Sequence, residues 1–176
     1  DFYVDYQEEN ALAQIYPKKH RESWLPKLIL ISSQEVRAIE KDKPGDINII
    51  GVKRLVPHSI SYVETAKIGR EEGGLVMPCH PNSDYASMGL ERAVEMYFMG
   101  RVHAIEGYNA TESKVKNDEL HDKLVRRNVK SRPAVPDSHH YSQLDTAGIL
   151  VPDSLYLDFS IQNLKTALAY GEGNGF

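Results

Sequence analysis

Apolar positions in this chain fall into short unbroken runs that alternate with helical stripes. Lys27-Leu-Ile-Leu-Ile31 is a nearly continuous apolar run and predicts a strand buried on both faces. Ile47 to Val52 predicts a second strand. Between 59 and 72, Ile60, Val63, Ala66 and Ile68 recur at helical spacing, and Gly73-Gly74 stops that helix. Leu75-Val-Met77 predicts a third strand, Leu90 to Met99 a helix ended by Gly100, and Val102 to Ile105 another strand. Ser113 to Arg127 carries a charged amphipathic helix, Ala134-Val135 a short strand and Leu155 to Phe159 a further one. A last helix runs from Ser160 to Tyr170, with Ser160 as its cap and Gly171 closing it.

Strand and helix alternate throughout, which predicts a parallel α/β architecture. The 176 residues suit one domain, 1–176, and no boundary, repeat or low-complexity stretch divides it. Gly171-Glu-Gly-Asn-Gly175 follows a helix instead of joining a strand to one, so it reads as a tail and not as a phosphate loop.

The apolar runs lead into chemistry. Arg132-Pro-Ala-Val-Pro-Asp-Ser-His-His140 ends a short strand in an acid and two histidines. Asp137 and His139 are two apart, so an extended segment projects both to one side, as a metal pair or as a general base with its partner. His140 then belongs behind them or in solvent. Gly74-Leu-Val-Met-Pro-Cys-His80-Pro81 repeats the design, and Pro81 restricts the chain beside His80. Glu35 follows the 27–31 run. Glu35, His80 and Asp137 thus each follow an apolar strand, where α/β barrels hold their active sites. Asp46 adds a carboxylate at the start of the 47–52 strand, or serves as a turn residue in Lys-Pro-Gly-Asp. Glu106 ends the 102–105 strand and orients a ligand or caps a loop. Cys79 reads as a small buried residue. His58, His103 and His121 have no comparable setting.

Charge and cysteine content narrow the classes. The net charge of −4 gives no electrostatic footprint for nucleic acid, and Lys18-Lys19-His20-Arg21 reads as a solvated turn. One cysteine excludes an internal disulfide framework. No apolar run approaches the roughly 20 residues of a membrane span, and no signal peptide is visible, so the expected location is the cytoplasm. Asp1-Phe-Tyr-Val reads as the middle of a domain, which makes this chain an expected fragment of a longer one.

Five strings, in order, resemble the PHP (polymerase and histidinol phosphatase) superfamily. Ile-Ser-Ser-Gln-Glu35-Val is similar to its Pro-Gly-x-Glu motif, with Pro and Gly replaced. Gly45-Asp46-Ile-Asn48-Ile-Ile-Gly51-Val resembles the Gly-His-Val-Asn-x-Leu-Gly stretch of the carbaryl-hydrolase-like branch, with Asp46 where histidine is usual. Pro-Cys-His80-Pro81 resembles Ala-His-Pro. Val102-His-Ala-Ile-Glu106-Gly-Tyr-Asn109 is similar to Asp-Ala-Ile-Glu-x-x-Asn. Pro136-Asp137-Ser138-His139 resembles Ser-Asp-Ala-His.

The resemblance implies a distorted (βα)7 TIM-like barrel with up to three divalent ions, zinc, manganese or iron. It implies Glu35, His80, Asp137 and His139 as metal ligands and catalytic residues, with Asp46 a substituted ligand. It implies hydrolysis of a small-molecule substrate, most often a phosphate ester, by metal-activated water. The family's opening His-x-His and Thr-Asp-His motifs have no match here, so the barrel is expected to lack its N-terminal strands. Arg37, Lys53 and Arg54 are candidate contacts for an anionic group. The alternative expectation is a catalytically degenerate domain of the same type that binds or regulates.

Overall fold

The computed structural model describes residues 2–7, 12–17, 28–143, 147–148 and 159–169. Strands β1 (Phe2–Gln7), β2 (Leu12–Pro17) and β3 (Leu28–Ile31) form one antiparallel sheet in the order β1-β2-β3. After Ser32 the chain enters β4 (Ser33–Glu40), which turns directly into β5 (Lys43–Ile50). The two turn residues, Lys41 and Asp42, have φ of 52° and 61°. Left-handed backbone at both central positions matches the twist of a two-residue hairpin, and it obliges β4 and β5 to run antiparallel.

Helix α1 (Tyr62–Glu71) follows, then β6 (Leu75–Pro78), which pairs antiparallel with β5. Helix α2 (Leu90–Phe98), β7 (Tyr108–Asn109), α3 (Lys114–Arg126) and β8 (Ala134–Val135) complete the middle of the chain. A single 3-10 turn spans Tyr141–Gln143, and α4 covers Ile161–Ala169. Strands β7 and β8 are parallel. Residues 102–107 continue that parallel ladder. His103 N and Glu106 N donate to the carbonyls of Val76 and Pro78, while Ile105 N and Gly107 N donate to those of Ser131 and Pro133.

These sheets correct the expected (βα)7 TIM-like barrel. Among the described residues, two of the three sheets are antiparallel throughout, and no barrel closes. The error has a physical source. An apolar run is equally compatible with a parallel core strand and with an antiparallel strand covered on both faces. The Lys43-Pro-Gly-Asp46 segment, open to a turn reading, is the first half of β5. Residues 155–158 of the strand predicted over 155–159, and the Gly171 cap, lie outside the described residues.

One face of the β4-β5-β6 sheet is covered by α1, α2 and α3, and the other is covered by α4 at β6. Val36, Ile47, Ile49 and Val76 pack with Tyr62 and Ala66 of α1, Met96 of α2 and Leu124 of α3. The alternate β6 residues Leu75 and Met77 face the other way, onto Ile161, Leu164 and Leu168 of α4. Each fully buried aliphatic side chain contributes about 1.5–3 kcal/mol. The free edge of β4 is covered by residues 54–60: Ile39 N donates to Ile60 O, Ser59 N to Arg37 O, and the Gln34 amide bonds Arg54 O and Val56 N.

The helices end as the sequence predicts. Gly73 N donates to Arg70 O and Gly74 N to Gly69 O, a Schellman closure that needs the left-handed Gly73, φ 81°. Ser61 and Ser113 cap α1 and α3 through bonds from Glu64 N and Lys116 N, and Ser160 caps α4 through Asn163 N.

Candidate functional site

Strand register builds one wall of a cleft. Arg37 on β4 lies opposite Asp46 on β5, and Glu35 opposite Asn48, so these side chains leave the same face. Arg37 Nε donates to Asp46 Oδ1 and Nη2 to Asp46 Oδ2, both at 2.9 Å, while the guanidinium lies 5.5 Å over the Tyr85 ring. Glu35 is therefore not a residue following a strand, as expected, but a mid-strand residue pointing across the sheet.

His80 and Asp137 do follow strands, each two residues beyond the last residue of β6 and of β8. Both hold left-handed backbone, φ 29° and 47°. Such conformations cost energy and collect at functional sites. Asp137 is fixed by Asn109 Nδ2, which donates to its Oδ2 at 3.1 Å, with the Thr111 hydroxyl also 3.1 Å from that oxygen.

His139 comes off the same turn, with its backbone N–H and that of His140 both donating to Gln143 Oε1. His139 Nδ1 is 2.9 Å from the Asp137 carbonyl. A carbonyl only accepts, so this contact places the imidazole proton on Nδ1 and the lone pair on Nε2. Metal-binding histidines are oriented by the same kind of backbone bond.

All five residues singled out from sequence, Glu35, Asp46, His80, Asp137 and His139, line a single cleft of about 190 Å³. Arg37, Ser83, Tyr85, Asn109, Thr111 and Glu112 complete its lining. Glu35, Cys79 and His80 each bring a ligand-type atom within 4.8 Å of the others. His80 Nε2 is 3.8 Å from Asp46 Oδ2, too long for a hydrogen bond, and His80 Nδ1 is buried with no partner.

The carboxyl groups feel one another. Partial burial, then the negative charges of Asp46 and Asp137, raise the Glu35 pKa. Behind the cleft, Glu106 is 1 % exposed, and burial pushes its pKa up to about 8 against hydrogen bonds from the Asn109 side chain and the His80 backbone. Its Oε1 has no partner. Burial also raises the Cys79 thiol well above its ordinary range, so it is a protonated thiol in this setting.

Other candidates fall elsewhere. Lys53 and Arg54 line a separate surface hollow with Glu71 and Ser160. His58 Nδ1 accepts from Arg37 N at the β4 edge, His103 Nδ1 accepts from Val76 N, and His121 is exposed on α3. His140 is exposed. Asn109 and Thr111 were not picked out from sequence as site residues. Their signal is present in Glu106-Gly-Tyr-Asn109, but a neutral amide at a strand end carries no charge or ligand spacing to mark it.

No family model matches the chain, and no curated protein matches it. Among the described residues no helix is long and apolar enough to cross a membrane.

Proposed function

We propose that this cleft is the site of a metal-dependent hydrolase acting on phosphate esters. The observation that carries the reading is the convergence of Glu35, His80, Asp137 and His139, from three separate parts of the chain, on one cleft. Motif order along the sequence supports it independently.

The residues fit a divalent ion. Oxygen and nitrogen donors predominate, His80 Nδ1 lacks a protein partner, and the contact of His139 Nδ1 with the Asp137 carbonyl leaves Nε2 as the ligand nitrogen of the neutral ring. Glu35, His80, Asp137 and His139 would hold zinc, manganese or iron. A bound divalent ion supplies a lowered pKa for water and a polarised phosphoryl oxygen. The rest is work for the chain. Arg37 is the one Arg or Lys among the described lining residues, and it supplies a fixed positive charge to the cleft for an anionic substrate. Asn109 and Thr111 hold Asp137 in place.

The test is metal content and turnover of the purified chain with p-nitrophenyl phosphate. Wild type should hold at least one equivalent of divalent metal. His80→Ala should lose metal and slow hydrolysis at least about a hundredfold, because charge stabilisation of this kind is worth several kcal/mol. A His80→Ala variant with full metal and full turnover would refute the reading.

A further inference from the structure

We infer that Arg37 takes the place of a metal ion beside Asp46, so that Asp46 is the partner of an arginine and not a ligand. The inference rests on the reading of this cleft as a metal site and concerns which of its carboxylates take metal.

The two oxygens of Asp46 are both engaged, by Nε and Nη2 of Arg37 at 2.9 Å each. The pair is not a chance surface contact. It is set by β-sheet register, which places residues 37 and 46 directly opposite, and Asp46 is 3 % exposed. Tyr85 stacks on the guanidinium and restricts its departure. A second cation bound to the same carboxylate would sit next to a permanent positive charge in a partly desolvated cleft, where like charges repel strongly. Arginine stays protonated throughout the ordinary pH range, so it does not yield its place by titration.

The other carboxylates differ. Among the described residues neither Glu35 nor Asp137 pairs with an Arg or Lys; Glu35 lies beside His80, and Asp137 beside His139. Asp137 Oδ1 lies 3.9 Å from His139 Nδ1, and the two acids raise the Glu35 pKa together with burial. Negative charge without a fixed counter-cation is therefore concentrated on the Glu35–His80–Asp137–His139 side. Metal should collect there, with one ion fewer than a site using all five residues.

The experiment is equilibrium dialysis of the full chain against zinc, with bound metal counted by plasma mass spectrometry. Wild type, Asp46→Asn, Arg37→Met, the double variant and Glu35→Gln are compared, with circular dichroism to verify folding. Asp46→Asn should bind as many zinc ions as wild type. Arg37→Met should bind about one more, because Asp46 is released beside His80, and the double variant should return to the wild-type count. Loss of an equivalent in Asp46→Asn, or no gain in Arg37→Met, overturns the inference. If Arg37→Met fails to fold, the Asp46→Asn count decides. Failure of the hydrolase reading looks different: wild type and Glu35→Gln would both bind no zinc, and the Arg37→Met gain would still judge the role of Arg37.

Discussion

Asn109 Nδ2 donates to Asp137 Oδ2 over 3.1 Å, tying the end of β7 to the turn after β8. The same amide accepts from Thr111 N at 2.8 Å through Oδ1, and Asn109 is 1 % exposed. Asn109→Ala would strip this amide from part-buried Asp137 Oδ2 and Thr111 N and from the buried Glu106 carboxyl. Leaving buried polar groups unpaired costs about 1–3 kcal/mol, which denaturant unfolding should register. Metal content should fall as well, since Asp137 loses its tether. An unchanged unfolding midpoint would show that the bond holds nothing in place.

A buried acid and a half-buried imidazole give the metal-free protein opposite pH dependences. Glu106 keeps its proton in the native state to about pH 8, whereas the unfolded chain releases it near about 4.3. Between those values the unfolded state binds fewer protons, so stability falls as pH rises, by at most about 1.4 kcal/mol per pH unit. His103 behaves in reverse. Burial, then the charges of Lys165 and Arg70, lower its pKa to about 4, so stability falls as pH drops below about 6.5. From about 6.5 to 8 only Glu106 of the two acts. Urea midpoints measured in chelator should decline over that window in wild type and stay flat in Glu106→Gln. His103→Asn should remove the opposing dependence, so that stability rises as pH falls from about 6.5 toward about 4.3. Matching slopes in Glu106→Gln and wild type would refute the assignment.

The hairpin turn offers a stability test independent of the cleft. Lys41 and Asp42 both carry positive φ, which side chains with a Cβ resist, while Asn-Gly suits a two-residue hairpin. Lys41→Asn with Asp42→Gly should raise stability by roughly 0.5–1 kcal/mol. Thermal unfolding would record the gain. A loss would mean that Lys41 or Asp42 contributes through its side chain.

Gly45 precedes Asp46 where β5 passes the backbone of Met88. A Cβ there would stand 2.6 Å from Met88 N, against main chain that has little room to yield. Gly45→Ala should therefore cost about 1–3 kcal/mol, the usual range for overpacking. It should also loosen the bond from Asp46 N to Ala86 O, 2.8 Å in the wild type. Amide hydrogen exchange at Asp46 would report that loosening, and unchanged protection would count against it.

How much of this was legible in the sequence depends on range. Helices α1, α2 and α3 were readable because apolar spacing, and the glycines that follow α1 and α2, are local signals. Strand β4 was not, because Ser33-Gln-Glu-Val-Arg-Ala-Ile-Glu40 has only one buried face and no flanking Gly or Pro on its left. Placing Glu35 after the 27–31 strand leaves out the antiparallel partner of β5, and the alternation of the remaining strands and helices then reads as a parallel sheet. His80, Asp137 and His139 were legible as an acid and imidazoles after strands, whereas Glu35 and Asp46 lie within β4 and β5. Their partners were not legible: the Arg37–Asp46 pair depends on register, and the Asn109–Asp137 bond joins positions 28 apart.

Asp137 separates charge from shape. Its Oδ2 receives Asn109 Nδ2 and faces the Thr111 hydroxyl, whereas its Oδ1 lies toward His139. In Asp137→Asn the amide oxygen can keep the Oδ2 position, and asparagine tolerates the left-handed backbone that φ 47° requires. The amide nitrogen then replaces Oδ1, substituting a donor for an acceptor on the cleft side. The unfolding free energy should stay within about 0.5 kcal/mol of wild type. Bound metal should drop and phosphate-ester hydrolysis with it, since a neutral amide is a poor partner for a hard cation. Asp137→Asn that keeps its metal and its turnover would remove Asp137 from the ligand set, whereas one that unfolds would show that the charge itself holds the turn.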